Sequence, residues 1–312
     1  MNTSIKILCF DQFFSDLAKQ NEFKCLSEQD AGDYRNVDGI VVRLGVTLTA
    51  NYLREFPDLK FVASITTGLD HIDTNYCVSS NIRIFSLKGE TKFLSHIHAT
   101  PEMTWTLLLA LFRNLVPAVL STRKGEWRRE LFFGNELHGK TLGILGFGRV
   151  GKIVGRYAVA FGMNVCAYDL CQTPFNDYPM TYVTLEQLLQ DSDVVSIHLP
   201  QNRNTHHFLA DREFSLMKKT AVLVNTSRGS IVKEKSLLDS LINGVISGAS
   251  IDVIEGETDP NYIDRNHDVI EYARKNDNLL VTPHIAGSTY NSMTSTAQFI
   301  LEKIRRSYEA GY

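Results

Sequence analysis

Along this chain, short apolar runs alternate with longer stretches in which apolar residues recur every three or four positions. Runs of the first kind read as strands buried on both faces, and stretches of the second kind as helices with one apolar side. The runs fall in two series. The first comprises residues 5–10, 38–42, 61–64 and 82–86; the second comprises 141–146, 164–168, 193–198, 221–225, 248–253 and 278–282. Strands that alternate with helices build βαβ units, and these make parallel sheets covered by helices on both sides. Ten such runs are many for one sheet, so the pattern predicts an α/β chain with two doubly wound parallel-sheet domains.

The divide is expected at a helix opening on Thr100-Pro101-Glu102. A threonine N-cap, proline at the first helical position and an acid in the first turn form a start signal. Residues 103–115 are then almost entirely apolar, as in a helix buried on most sides and wedged between domains. The last helix, about 290–308, is expected to return to the first domain. That makes one domain discontinuous, 1–98 plus 290–312, with the other at 99–289.

Composition narrows the setting. Among 312 residues, 44% are hydrophobic and 21% charged, which suits a globular protein with a sizeable core. A net charge of -3 supplies no basic field for nucleic acid or an anionic membrane. The run Arg123-Lys124 with Arg128-Arg129 reads as a solvated face. The five cysteines show no CxxC pair and no zinc-ligand spacing, so they are expected to be reduced thiols of a cytoplasmic protein. The N-terminal apolar stretch is too short for a secretory signal, and no run approaches the roughly 18 apolar residues of a membrane span.

The first chemical signal is Gly146-Phe-Gly148-Arg-Val-Gly151, placed between a strand and a helix. In that setting Gly146 permits the tight turn, Gly148 lets backbone approach a pyrophosphate, and Gly151 lets helix and strand pack closely. Amides at the helix start then hold phosphate, helped by the helix dipole. The next strand ends at Asp169, where a carboxylate can bind ribose hydroxyls. Against a 2′-phosphate that carboxylate would cost on the order of a few kcal/mol, and Leu170 and Cys171 bring no arginine to offset it. NAD is therefore expected rather than NADP.

Three polar residues follow strand ends in the second half: Arg228 after 221–225, Glu257 after 248–253 and His284 after 278–282. Open α/β sheets bind ligands at such ends. Reduction of a 2-oxo acid by hydride needs a planar cation for the carboxylate and carbonyl, which suits arginine. It also needs a group that exchanges a proton near neutral pH, which suits histidine. A carboxylate beside that histidine would orient its ring and stabilise its charged form. His206-His207, His96 and His98 read as loop or helix-face residues, and no metal site is expected.

These segments, in this order, resemble the D-isomer-specific 2-hydroxyacid dehydrogenase family. The likeness runs through 62–73 (VASITTGLDHID), the Glu102 helix, Gly125-Glu126-Trp127, 137–151, His198-Leu-Pro200, 225–229, 248–257 and 282–287. It implies two Rossmann- or flavodoxin-like domains with a cleft between them, usually in a homodimer joined mainly through the cofactor domain. Arg228 would bind substrate, His284 would be the acid/base and Glu257 its partner. Glu257 is preferred to Glu255 because the family's glutamate stands five residues after the aspartate ending the strand, here Asp252. Asp252 and Thr226 would lie by the nicotinamide, and Arg149 and Val150 by the pyrophosphate. His198, Pro200, His284 and Gly287 would also border the cofactor, while Thr67 and Gly68 would offer backbone N–H groups to the substrate carboxylate.

Substrate identity is less sharply written. Arg43 stands where phosphoglycerate-type members carry a phosphate-binding arginine, and Lys88 and Lys92 could meet an anion, although both read first as solvated lysines. The family's proline after the catalytic glutamate is replaced by Thr258-Asp259-Pro260, and 86–98 differs from the usual short loop. With little chain after the last helix, no regulatory domain of the phosphoglycerate type is expected. Two other readings of the fold stay open: an NADH-sensing corepressor, and a formate- or phosphite-type dehydrogenase.

Overall fold

The computed structural model describes residues 5–27, 35–43, 45–257 and 267–310. Segment 258–266, which holds the departure after Glu257, lies outside the described residues. The described chain divides into two compact units, one of residues 5–97 with 288–310 and one of 98–257 with 267–287. No single helix among the described residues is long and apolar enough to cross a membrane.

The first unit holds a five-stranded parallel sheet, ordered β2-β1-β3-β4-β5. Its strands are β1 (Lys6–Cys9), β2 (Lys24–Leu26), β3 (Gly39–Val42), β4 (Phe61–Ser64) and β5 (Arg83–Phe85). Side chains alternate across such a sheet. Ile7, Cys9, Val41, Phe61 and Ala63 join one buried cluster, and Leu8, Ile40, Val42 and Val62 another. The helix Tyr290–Glu309 contributes Ala297, Ile300, Leu301 and Ile304 to the first cluster. Their spacing puts them on one helix face, and each large aliphatic side chain buried this way stabilises by about 1.5–3 kcal/mol.

The second unit holds a seven-stranded sheet, also parallel throughout, ordered β12-β11-β10-β9-β6-β7-β8. Its strands are β6 (Thr141–Leu145), β7 (Asn164–Tyr168), β8 (Thr181–Tyr182), β9 (Val194–Ile197), β10 (Val222–Asn225), β11 (Gly248–Ile251) and β12 (Leu279–Val281). From β6 the chain moves outward to β8, then returns to β9 on the other flank of β6. The strand order thus reverses between β6 and β9, where such sheets open a crevice at their carboxyl ends. Helix Ala99–Phe112 covers one face, packing Trp105, Leu108 and Phe112 with Leu142, Ile144 and Val224.

Two strands, β2 and β8, and one helix start depart from the sequence pattern. β2 and β8 are three and two residues long at sheet edges, too short to show a hydrophobic period. The helix starts at Ala99, with His98 as its cap and Pro101 at the third helical position. Proline is tolerated there because the first-turn N–H groups have no intrahelical acceptor in any case. The signal at Thr100-Pro101 marks the first turn without fixing its first residue.

Candidate active site

The glycine turn follows β6. Gly146 has φ +92°, and a Cβ on it would stand 2.7 Å from the His198 carbonyl oxygen, at the neighbouring end of β9. Both the left-handed backbone and this close approach require glycine. A Cβ at Gly151 would come within 2.3 Å of the Gly146 carbonyl oxygen, so the helix Arg149–Ala160 packs directly on the turn. At Gly148 a Cβ would meet nothing within 4 Å, and no side chain caps this helix. Arg149 and Val150 open the first turn of this helix, whose positive dipole end follows the glycine turn, as binding of a dinucleotide's phosphates requires.

Asp169 is fixed at the end of β7. Its Oδ2 accepts from the Phe147 amide and its Oδ1 from the Cys171 amide, both at 2.8 Å. The residues present therefore fit NAD: a glycine cradle, an uncapped helix start and a carboxylate past the second strand. His198, half-buried at the end of β9, lies 2.8 Å through Nε2 from Ser196 Oγ. Desolvation pushes its imidazole down to about 3, so the ring is uncharged at neutral pH. Pro200 is fixed through its carbonyl, which accepts from Thr205 Oγ1 at 2.6 Å.

The three catalytic candidates issue from the carboxyl ends of three adjacent strands, β10, β11 and β12. Arg228 follows β10, and its Nη1 donates to the Ser227 carbonyl at 2.8 Å. Asn225, at the end of β10, ties this turn: Nδ2 donates to the Arg228 carbonyl at 2.9 Å and Oδ1 accepts from the Ser227 amide at 3.0 Å. Thr226 Oγ1 lies 2.7 Å from Thr104 Oγ1, both buried. His284 Nδ1 stands 2.6 Å from Glu257 Oε1, with both side chains less than one-fifth exposed. A carboxylate on Nδ1 leaves Nε2 as the ring atom able to exchange a proton.

Asp252, fully buried, holds this loop in place. Its Oδ2 accepts from the Ala286 amide at 2.7 Å, and its Oδ1 accepts from the Ile285 amide and the Thr282 hydroxyl. Its carbonyl accepts from the His284 amide at 2.8 Å. His284 itself has φ +52°, a conformation that costs a non-glycine residue roughly 1–3 kcal/mol unless its surroundings impose it. Asp252→Asn is expected to turn one acceptor into an NH2 facing an N–H, at about 1–3 kcal/mol for each amide left unpaired. Thermal unfolding should register the loss, and an unchanged midpoint would remove Asp252 from this role.

Asn225, Thr104 and Thr282 were not singled out by motif. Their one signal is a polar side chain within or beside an apolar run; Asn225 bonds within its own turn, whereas the partners of Thr104 and Thr282 are distant in sequence. A Cβ at Gly287 meets nothing within 4 Å. Thr67 and Gly68 belong to the other unit, in the loop after β4, where Thr66 Oγ1 donates to the Gly68 carbonyl at 2.8 Å. Arg43 follows β3 and pairs with Asp11 at 2.8 Å. Lys88 and Lys92 are exposed.

The sequence matches the family described as D-isomer specific 2-hydroxyacid dehydrogenase, NAD binding domain, over residues 105–286. A hydroxypyruvate reductase of Thermotoga maritima is 33% identical over 268 residues, covering 86% of this chain and 84% of that protein. A glyoxylate reductase of Thermococcus gammatolerans is 33% identical over 279 residues, with 86% and 79% covered. Among solved structures, D-lactate dehydrogenase of Aquifex aeolicus, complexed with NAD and lactic acid, aligns with a TM-score of 0.83 at 27% identity, over 98% of this chain and 96% of that one. A match over more than half of the chain, on a fold whose strand ends carry arginine, glutamate and histidine, settles its kinship. The chain belongs to the D-isomer-specific 2-hydroxyacid dehydrogenase family, and is an NAD-dependent oxidoreductase that moves a hydride between nicotinamide and a small 2-oxo or 2-hydroxy acid.

Proposed function

We propose that the enzyme reduces a small, unphosphorylated 2-oxo acid of the glyoxylate or hydroxypyruvate kind, with Arg228, Glu257 and His284 as its catalytic residues. The observation that carries this reading is the 2.6 Å contact between His284 Nδ1 and Glu257 Oε1. Glu257 accepts a hydrogen bond from the Nδ1–H and so holds the ring in one tautomer and one orientation. His284 then gives a proton from Nε2 to the carbonyl oxygen as that oxygen becomes an alkoxide. Arg228 binds the carboxylate and polarises the carbonyl through its fork of donors. Bound NADH supplies the hydride that adds to C2.

Two observations favour an unphosphorylated substrate. The relatives named hydroxypyruvate reductase and glyoxylate reductase are each 33% identical across 86% of this chain. The guanidinium of Arg43 is engaged by Asp11, so a phosphate there would meet a carboxylate beside its cation. NADH oxidation followed by absorbance with glyoxylate, hydroxypyruvate, pyruvate and phosphohydroxypyruvate tests the reading. Highest kcat/KM on one of the first two supports it. Preference for phosphohydroxypyruvate overturns it, and binding of NADH without turnover of any acid favours the sensor role.

The enzyme works as a homodimer in the cytoplasm. All five cysteines are free thiols, as a reducing compartment favours. Helix Leu115–Arg123 exposes Leu115, Val116, Val119 and Leu120, and beyond it Trp127 and Phe133 are 80% and 81% exposed. Four apolar residues at one-turn spacing make a face rather than scattered exposure, and such faces mark interfaces. A second copy of the chain covers it. Light scattering after size exclusion should give twice the chain mass, and Val116→Asp with Leu120→Asp should halve it. A monomeric wild type would overturn the assignment.

A further inference from the structure

The turn 202–208 presents two histidines. Thr205 fixes this turn, its Oγ1 donating to the Pro200 carbonyl at 2.6 Å and accepting from the Asn202 amide at 2.9 Å. The His206 amide then donates to the Asn202 carbonyl at 3.0 Å, and the His207 amide to the Ser230 carbonyl at 2.7 Å. His207 has φ +50°, and its ring stacks on that of His206 with centroids 3.9 Å apart.

Glu255 reaches the same point from the segment after β11. Its amide donates to Glu234 Oε1 at 2.8 Å. Its backbone also presses on Gly229, where a Cβ would lie 2.3 Å from the Glu255 nitrogen. The backbone from which this carboxylate extends is thus fixed independently of the histidines. Its Oε2 stands 2.9 Å from His207 Nε2, and its Oε1 4.0 Å from His206 Nδ1. One donor atom from each of the three residues lies within 4.8 Å of the others.

Tetrahedral zinc with bonds of roughly 2.0–2.1 Å separates its ligand atoms by about 3.4 Å, between the two distances seen here. Two imidazoles and one carboxylate form a borderline donor set, which suits Zn2+, Co2+ or Ni2+ rather than Ca2+ or Mg2+. His206 is half exposed, so solvent can fill the fourth position. We propose that His206, His207 and Glu255 form a binding site for a divalent cation of the Zn2+ class, separate from the His284–Glu257 pair. The ion ties turn 202–208 to the segment that carries Glu257 two residues on and that packs against Gly229, next to Arg228. It is a clamp on the catalytic strand ends, and takes no part in hydride transfer.

The test is calorimetric titration of ZnSO4 into the full, tag-free, EDTA-treated protein, with Co2+ absorbance as a second readout. One ion should bind per chain. His207→Ala and Glu255→Gln should each weaken binding at least about 100-fold, and His206→Ala about 10- to 100-fold. His284→Ala should bind zinc as wild type does. At one zinc concentration the unfolding temperature of wild type should rise more than that of His206→Ala; because this side chain is largely at the surface, that variant keeps its fold. Absence of 1:1 binding, binding that survives His207→Ala, or binding lost in His284→Ala would each overturn the proposal.

Discussion

Replacing His284 by alanine is expected to lower kcat about 100- to 10,000-fold, the range of general acid–base catalysis by one positioned side chain. The contact from His284 Nδ1 to Glu257 Oε1 sets a graded outcome. Glu257→Gln keeps an acceptor for Nδ1 but removes the negative charge beside the ring. It should therefore cost less, about 10- to 100-fold. Stopped-flow measurement of single-turnover NADH oxidation separates chemistry from product release. A histidine variant with wild-type single-turnover rate would remove His284 from proton transfer. An equal loss in the alanine and glutamine variants would make Glu257 more than an orienting partner.

The second large effect is expected at Arg228. Glutamine there removes the cation that holds the carboxylate and polarises the carbonyl, so kcat/KM should fall about 1,000-fold. Both kcat and KM should change, because ground-state binding and transition-state stabilisation are lost together. Lysine should recover only part of the loss, since a point charge cannot reproduce two parallel N–H donors. Steady-state kinetics on the preferred 2-oxo acid reads the difference. Unchanged constants for Arg228→Gln would sink the assignment.

Much of the fold is legible because fully buried parallel strands leave an unmistakable mark. The runs at 61–64 and 221–225 are apolar almost throughout, and the structure makes β4 and β10 of them. The edge strands Lys24–Leu26 and Thr181–Tyr182 carry no such mark, because each is exposed on one side and pairs over only two or three residues. The glycine turn is legible for a local reason: its steric demands act between residues 146 and 151. The supports around the catalytic loop act at long range. Asp252 meets amides more than 30 residues away, and Thr104 meets Thr226 across 122 residues. Nothing in the local sequence announces these long-range partners. The same holds for Glu255, which stands 48 residues from His207 and becomes its neighbour only once the strands are assembled.

The helix Tyr290–Glu309 also bears on how the protein is made. The first unit's strands leave the ribosome first, yet the aliphatic face of Ala297, Ile300, Leu301 and Ile304 that completes their core is translated after the whole second unit. At typical synthesis rates of about 5–20 residues per second, the stretch between them keeps that apolar sheet face waiting for roughly ten seconds or more. During that interval the nascent chain offers an unpartnered hydrophobic surface, the kind that chaperones hold and that misassembles when they do not. The second unit is drawn from the stretch of chain between the two parts of the first, so it can close while still being extruded. Loss of the last helix would therefore show first as insoluble nascent protein rather than as a weakened enzyme.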